Sequence, residues 1–225
     1  KVSASKIDLQ NGNIALSGAI DNNTQVDYFT YYISTAGNVV WEKQYNGYNN
    51  NSYATDVQFD QQGNVVSTGI VQDASGKVEY HTVKYDPTGD QLWLNKELTY
   101  TSSISSTPRL SVCNGSIYIA GQKWNEFNHH VFIYQMDDEG FTNWTKLHNG
   151  LNNGEDAAVD LICSGSGALY VAAQTQNSNA KFDYTTIKIA ESPVNLPADI
   201  DNSSPKTPLA FYQNYGQIKD LNNNP

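Results

Sequence analysis

Three independent sets of residues recur along this chain with one period, and that period limits the possible folds more than any other feature. Segments opening on a glycine return four times: Gly12-Asn13-Ile14-Ala15-Leu16-Ser17-Gly18, Gly63-Asn64-Val65-Val66-Ser67-Thr68-Gly69, Gly115-Ser116-Ile117-Tyr118-Ile119-Ala120-Gly121 and Gly167-Ala168-Leu169-Tyr170-Val171-Ala172-Ala173. Their first glycines lie 51, 52 and 52 residues apart. A second set, Asp27-Tyr28-Phe29-Thr30, Glu79-Tyr80-His81-Thr82 and Asp183-Tyr184-Thr185-Thr186, keeps the same step; His130-Val131-Phe132-Ile133 takes its place in the third unit. The third set is Trp41, Trp93 and Trp144, with Phe211 read as its fourth member because Phe211 and Tyr215 repeat the spacing of Trp41 and Tyr45.

Each unit reads as four short strands. The first ends near Leu9, Phe59, Val112 or Cys163. The second carries the opening-glycine segment, the third the acidic-Tyr segment with alternating side chains, and the fourth the Trp. Asp86-Pro87-Thr88-Gly89 joins third to fourth with Asp at i, Pro at i+1 and Gly at i+3, a type I turn pattern. Ser34 to Gly37 and Asp137 to Gly140 place glycine the same way. No segment sustains a 3.6-residue period, so almost no helix is expected. Four-stranded units of this length define an all-β chain, a β-propeller of antiparallel blades. The propeller is expected over 1–216, with 217–225 a linker or the start of a following domain. If the glycine-led strand is innermost, Gly18, Gly69 and Gly121 serve close approach at a crowded axis. The N-terminal strand would then be an outermost one, able to complete the last blade. That phase admits either a closed four-bladed ring or part of a larger one. The repeated Trp residues read as packing between blades.

Composition narrows the class. Lys and Arg number 13 against 23 Asp and Glu, for a net charge of −10. Phosphate contacts need clustered Lys and Arg, so nucleic acid is an unsuitable partner. No apolar run approaches the roughly 18 residues of a membrane span, so membrane insertion is not expected. Only 16% of residues are charged, and 26 are Asn, so polarity comes from amides and hydroxyls. Cys113 and Cys163 fall at non-equivalent positions when the glycines are aligned, and two free, half-buried thiols are expected. The start at Lys1, without Met or a signal-like run, suggests a processed or shortened chain.

The second unit carries a family resemblance: Glu79-Tyr80-His81-Thr82-Val83-Lys84-Tyr85-Asp86, then Gly89 and Trp93, with Ala54, Asp60 and Gly63-Asn64-Val65 before them. This pattern resembles the SBBP-type bacterial β-propeller repeats, over about residues 1–216. It departs at His130-Val131, at Phe211 and in a Pro-, Asp- and Ser-rich insertion near 190–209. The resemblance implies a secreted or cell-surface protein of a Bacteroidetes-like bacterium, of the kind often exported by the type IX route. No sorting domain for that route is visible in this sequence.

Chemistry-bearing patterns are sparse. Asp137, Asp138 and Glu139 occupy a turn, and Asp160 aligns with Asp56, so the repeat already accounts for them. Glu155 and Asp156 complete the acidic candidates. His129 and His130 are adjacent on a strand and point to opposite faces, while His81 and His148 have no spacing partner, so no metal site is assigned. Asp199-Ile200-Asp201 opens like a calcium loop but lacks its later Gly and Glu, and a polar loop is the better reading. No other cofactor is implied.

Binding is easier to motivate. Trp124, Asn125 and Phe127 lie in a loop outside the repeated Trp position, and Tyr48 lies in an Asn-rich loop expected on the same face. Aromatic rings beside amides suit sugar stacking and hydroxyl bonding; the bland reading is that Trp124 and Phe127 cover a blade edge. The leading expectation is a non-enzymatic module that scaffolds or binds a glycan or protein through loops on one face. Two alternatives stand beside it. One is a polysaccharide-acting hydrolase or lyase with carboxylates at the ring's centre. The other is a passive segment of a large adhesin. The oligomeric state stays open.

Overall fold

A computed structural model describes residues 1–101, 107–150, 152–165, 167–178, 180–190 and 210–215, with backbone alone at 101, 190 and 210–215. Sixteen strands form four antiparallel sheets, and no described residue is helical. Blade 1 holds β1 (Val2–Gln10), β2 (Asn13–Asp21), β3 (Val26–Ile33) and β4 (Val39–Tyr45). Blade 2 holds β5 (Ser52–Phe59), β6 (Val65–Gln72), β7 (Val78–Tyr85) and β8 (Gln91–Thr101). Blade 3 holds β9 (Arg109–Cys113), β10 (Ser116–Trp124), β11 (His129–Met136) and β12 (Thr142–His148). Blade 4 holds β13 (Asp156–Cys163), β14 (Leu169–Gln176), β15 (Phe182–Ala190) and β16 (Ala210–Tyr215).

Strands neighbour one another in chain order within every blade, so each blade is an antiparallel meander. The turns behave as their residues dictate. Gly37, Gly89 and Gly140 have positive φ, and each amide donates to the carbonyl of the residue opening its turn. Gly12, Gly63, Gly115 and Gly167 turn the first strand into the second, also at positive φ, where glycine lacks the Cβ penalty.

Two expectations about phase are corrected. The first strands pack side by side, β1 on β5, β5 on β9 and β9 on β13, so the first strand of each blade is innermost, not the glycine-led second. Blade 4 also supplies its own four strands, and β1 pairs with β2, so the N-terminal strand completes no other blade. No sheet closes the four blades into a ring. The register also shifts one assignment. Trp41, Trp93 and Trp144 lie opposite Tyr32, Lys84 and Gln135, each beside a bulge, whereas Lys188 lies opposite Tyr212 and not Phe211. Blade 4 lacks that bulge, and the repeat position moves by one residue.

The core is three seams rather than one centre. Ala15 and Trp41 of blade 1 pack on Val57, Phe59, Val65, Val83 and Tyr85 of blade 2. Val66, Val78 and Tyr80 of blade 2 pack on Leu110, Ile117, Phe132 and Tyr134 of blade 3. Tyr118, Val131 and Ile133 of blade 3 pack on Leu161, Leu169, Val171, Ala173 and Ile187 of blade 4. Sheets packed face to face in this way bury the aliphatic side chains that alternate along their strands.

Gly121 serves a seam, while Gly69, like Gly18 beside the Ser3 carbonyl, also makes room for the backbone of the innermost strand. A Cβ on Gly69 would run into the Tyr53 carbonyl of β5 and meet a ring carbon of Tyr28 at 2.8 Å, and one on Gly121 would meet the Tyr80 ring at 2.6 Å. Each glycine makes room for the tyrosine of the preceding blade. The Trp positions stitch the same seams: Trp41 Nε1 donates to Pro87 O, and Trp93 Nε1 to Asp138 O, in the turn of the next blade.

Candidate functional site

Repeat positions near the axis are occupied with holding blades together. Asp8 Oδ2 accepts the Phe59 amide at 2.8 Å, and Asp56 Oδ2 accepts the Leu110 amide at 3.1 Å. Gln58 donates to Leu110 O and accepts from Val112 N. Buried Lys84 sits between Asp60, at 2.8 Å, and Asp138 of the next blade, at 2.5 Å. Burial opposes the charge on Asp60, yet bonds from Lys84 and Asn64 carry its carboxyl below the usual range. Burial likewise opposes the Lys84 charge, and the two carboxylates more than offset it.

An axial cavity of about 440 Å³ opens between the innermost strands, bordered by Lys6, Asp56, Gln58, Ser111, Asp160 and Tyr170 among others. It brings together two carboxyl groups from different blades. Asp56 is buried, which raises its pKa although it accepts amides from Leu110 and Val57. Asp160 is exposed and accepts the Leu161 amide at 2.9 Å, the same local bond that Asp56 makes with Val57.

The seam between blades 3 and 4 differs. Here the repeat's tyrosine is Val131 and its glycine is Ala173, both buried in one cluster. Cys113 and Cys163 form a disulfide across this seam, which corrects the expectation of free thiols. Each ends the innermost strand of its blade, with Cα atoms 6.3 Å apart. By register the two cysteines are not equivalent: Cys163 lies opposite Leu169 as Val112, not Cys113, lies opposite Ile117. Ser111 Oγ accepts the Cys163 amide alongside.

Above the disulfide, the same seam opens a cleft of about 400 Å³ lined by Gln122, His129, Glu155, Asp156, Gln174 and Phe182. His129 Nδ1 meets Glu155 Oε2 at 2.5 Å, and the imidazole stands edge-on to Trp124 with centroids 4.9 Å apart. Asn128 Nδ2 donates to Gly154 O, fixing the β10–β11 hairpin on the loop before β13. Asn125 Oδ1 accepts the amides of Phe127 and Asn128, and its Nδ2 meets His130 Nε2. That bonding holds Phe127 at the hairpin tip, 83% exposed. Asp156 is committed to the backbone, accepting from Gly150 and Gln176, and burial raises its pKa. The cleft thus offers aromatic surface, two amides and one carboxylate paired with a histidine.

Trp124, Asn125 and Phe127 therefore share one hairpin. Tyr48 lies apart, at the seam of blades 1 and 2, where its hydroxyl donates to Glu79 and its ring packs edge-on to His81. His129 lies opposite Trp124 in that hairpin, and Glu155, 26 residues on, joins it only through the fold. Among the described residues no three His, Cys, Asp or Glu side chains are grouped to hold a metal ion, and no helix is long and apolar enough to cross a membrane. Asp199, Asp201 and 217–225 lie outside the described residues.

No protein-family model and no curated protein matches the sequence. Among solved structures, the chain is similar to a glycosyl hydrolase from Bacteroides ovatus, with TM-score 0.44, 9% identity and coverage of 84% of this chain and 66% of that one. It is similar also to an α-L-arabinofuranosidase from Podospora anserina in complex with cellotriose, with TM-score 0.42, 10% identity and coverage of 83% and 63%. A tail fibre of Staphylococcus aureus phage P68 matches with TM-score 0.28, 6% identity and coverage of 82% and 49%. The chain spans just under two thirds of the first two and about half of the third.

Proposed function

We propose that this chain is a propeller-type module of a secreted or cell-surface protein that binds carbohydrate at the seam of blades 3 and 4. One observation carries the reading: His129 and Glu155, which depart from the repeat, line a single cleft with Gln122, Gln174 and Phe182, and Trp124 stands edge-on to His129 beside it. Repeat residues are explained by blade packing; these are not. Aromatic edges with amide and carboxylate groups match the alternating apolar faces and hydroxyls of a sugar. The interblade disulfide supports an oxidising, extracellular setting, as does the resemblance to secreted repeats. Titration of wild type and Trp124→Ala with a panel of soluble oligosaccharides tests it. Wild type binds at least one class, and the variant loses at least tenfold in affinity with an unchanged melting temperature. A wild type that binds none of them overturns the reading.

A second reading, carbohydrate hydrolysis, is favoured by Asp56 and Asp160 bordering the axial cavity from different blades. Paired carboxylates about 5–10 Å apart run retaining and inverting hydrolysis. Release of reducing sugar by wild type, abolished in Asp160→Asn, establishes it. Binding without release leaves the first reading alone.

A further inference from the structure

The cleft between blades 3 and 4 carries charge of one sign. No Lys or Arg lines it among the described residues, whereas Lys6 borders the axial cavity. Lys123, between Gln122 and Trp124 on β10, turns to the other face of its sheet. There it pairs with Glu97 at 3.6 Å and lies 4.3 Å from the centre of the Phe132 ring. Asp156 has both oxygens on backbone amides.

Glu155 differs from the other carboxylates at this end of the blades. Its Oε2 meets the Nδ1 and the backbone amide of His129. Its Oε1 has no partner among the described residues, and the side chain is 44% exposed. Asp27, at the start of β3, is buried, with Gln25 and Asn46 on one oxygen and Asn22 on the other. Glu79, at the start of β7, is largely covered and bonds both Tyr48 and His81. A second observation points into the same cleft. Gln122 is 7% exposed and lines the cleft, and its main chain is bonded to Tyr80. Its side-chain amide has no partner among the described residues, so two donors and an acceptor face the cleft from a buried position. Phe182 adds a half-exposed ring.

We infer that this cleft selects amino sugars, glycans that carry a free ammonium group. The ammonium sits on Glu155 Oε1, a sugar oxygen or hydroxyl on the Gln122 amide, and the apolar face of the pyranose on Phe182. The inference rests on the carbohydrate reading of this cleft and sharpens it. An ammonium makes a charge-assisted bond to the carboxylate, stronger than that of a neutral hydroxyl in the same place. Acidic sugars are rejected, because no cation in the cleft receives them and the chain has a net charge of −10.

Isothermal titration calorimetry on the full chain tests the inference with three β-1,4-linked tetramers that differ at C2 alone. They are tetraglucosamine, its fully N-acetylated form and cellotetraose, at a pH that keeps the amine protonated. Wild type binds tetraglucosamine about tenfold more tightly than the other two, and added salt narrows the gap. Glu155→Gln keeps an oxygen for His129 Nδ1 and removes the charge. It lowers affinity for tetraglucosamine about tenfold and leaves affinity for cellotetraose and the melting temperature unchanged. If Glu155→Gln unfolds, the ranking in wild type and its salt dependence decide alone. Cellotetraose bound as tightly as tetraglucosamine overturns the inference and leaves the carbohydrate reading standing. Tetraglucosamine bound equally by wild type and a folded Glu155→Gln also overturns it, since the attraction then belongs to the overall negative charge. Failure of all three tetramers to bind overturns it as well, and the wider oligosaccharide panel then decides the carbohydrate reading separately.

Discussion

The seam between blades 2 and 3 and the seam between blades 3 and 4 solve the same packing problem with different chemistry. In the first, Tyr80 fills the space over Gly121 and its hydroxyl both accepts from Gln122 N and donates to Gln122 O. Trp93 covers the next turn, and Lys84 bridges Asp60 to Asp138. In the second, Val131 and Ala173 take these places in one buried cluster, and the seam is joined instead by the Cys113–Cys163 disulfide, by Ser111 and by Arg109 reaching Val159 O. The comparison teaches that a blade junction tolerates exchange of its central knob and socket when another link joins the innermost strands. It also shows why a cleft opens at the second seam, where the repeat's tyrosine is absent and His129, Glu155 and Trp124 take over.

The largest way to break the comparison is Lys84→Ala. Removing this cation leaves Asp60 buried with its charge uncompensated, which costs about 3–5 kcal/mol. Urea denaturation reads the loss, and Lys146→Ala, on exposed β12, serves as control. At the other seam, Cys113→Ser with Cys163→Ser removes a link closing a loop of 50 residues and costs about 2–4 kcal/mol. A thermal melt with and without reductant checks this, with reductant acting on wild type and leaving the double variant unchanged.

A smaller effect comes from pH. Burial lowers the pKa values of His81, His130 and His148 below the usual imidazole value. The unfolded chain therefore binds protons that the folded chain refuses. Their contribution is full above about pH 6.5 and is lost as pH falls through the lower folded values. Melting temperature should fall below that pH, and His81→Gln should flatten part of the fall. His81 belongs to the seam of blades 1 and 2, where it bonds Tyr45 and Glu79.

Much of the fold was legible because hairpin turns and alternating strands are local. The turn at Asp86 to Gly89 and the Gly-Asn-Ile segments announce their strands through short-range sterics alone. Blade phase was not legible, because which strand lies innermost is decided by packing between units that look alike. The disulfide was hidden because it joins non-equivalent positions of two neighbouring repeats. Trp124 stood out as an aromatic outside the repeat, but His129 and Glu155 did not. Their pairing exists only because β11 and the loop before β13 face each other across a seam.

The central claim is that Tyr80 and Gly121 act as one knob and socket, for which Val131 and Ala173 are the alternative. A double-mutant cycle on Gly121→Ala and Tyr80→Val measures it most directly. Gly121→Ala alone overpacks the seam and costs about 1–3 kcal/mol, while in the Tyr80→Val background the same methyl is neutral or stabilising, giving a coupling beyond about 1 kcal/mol. Equal cost of Gly121→Ala in both backgrounds would contradict the account.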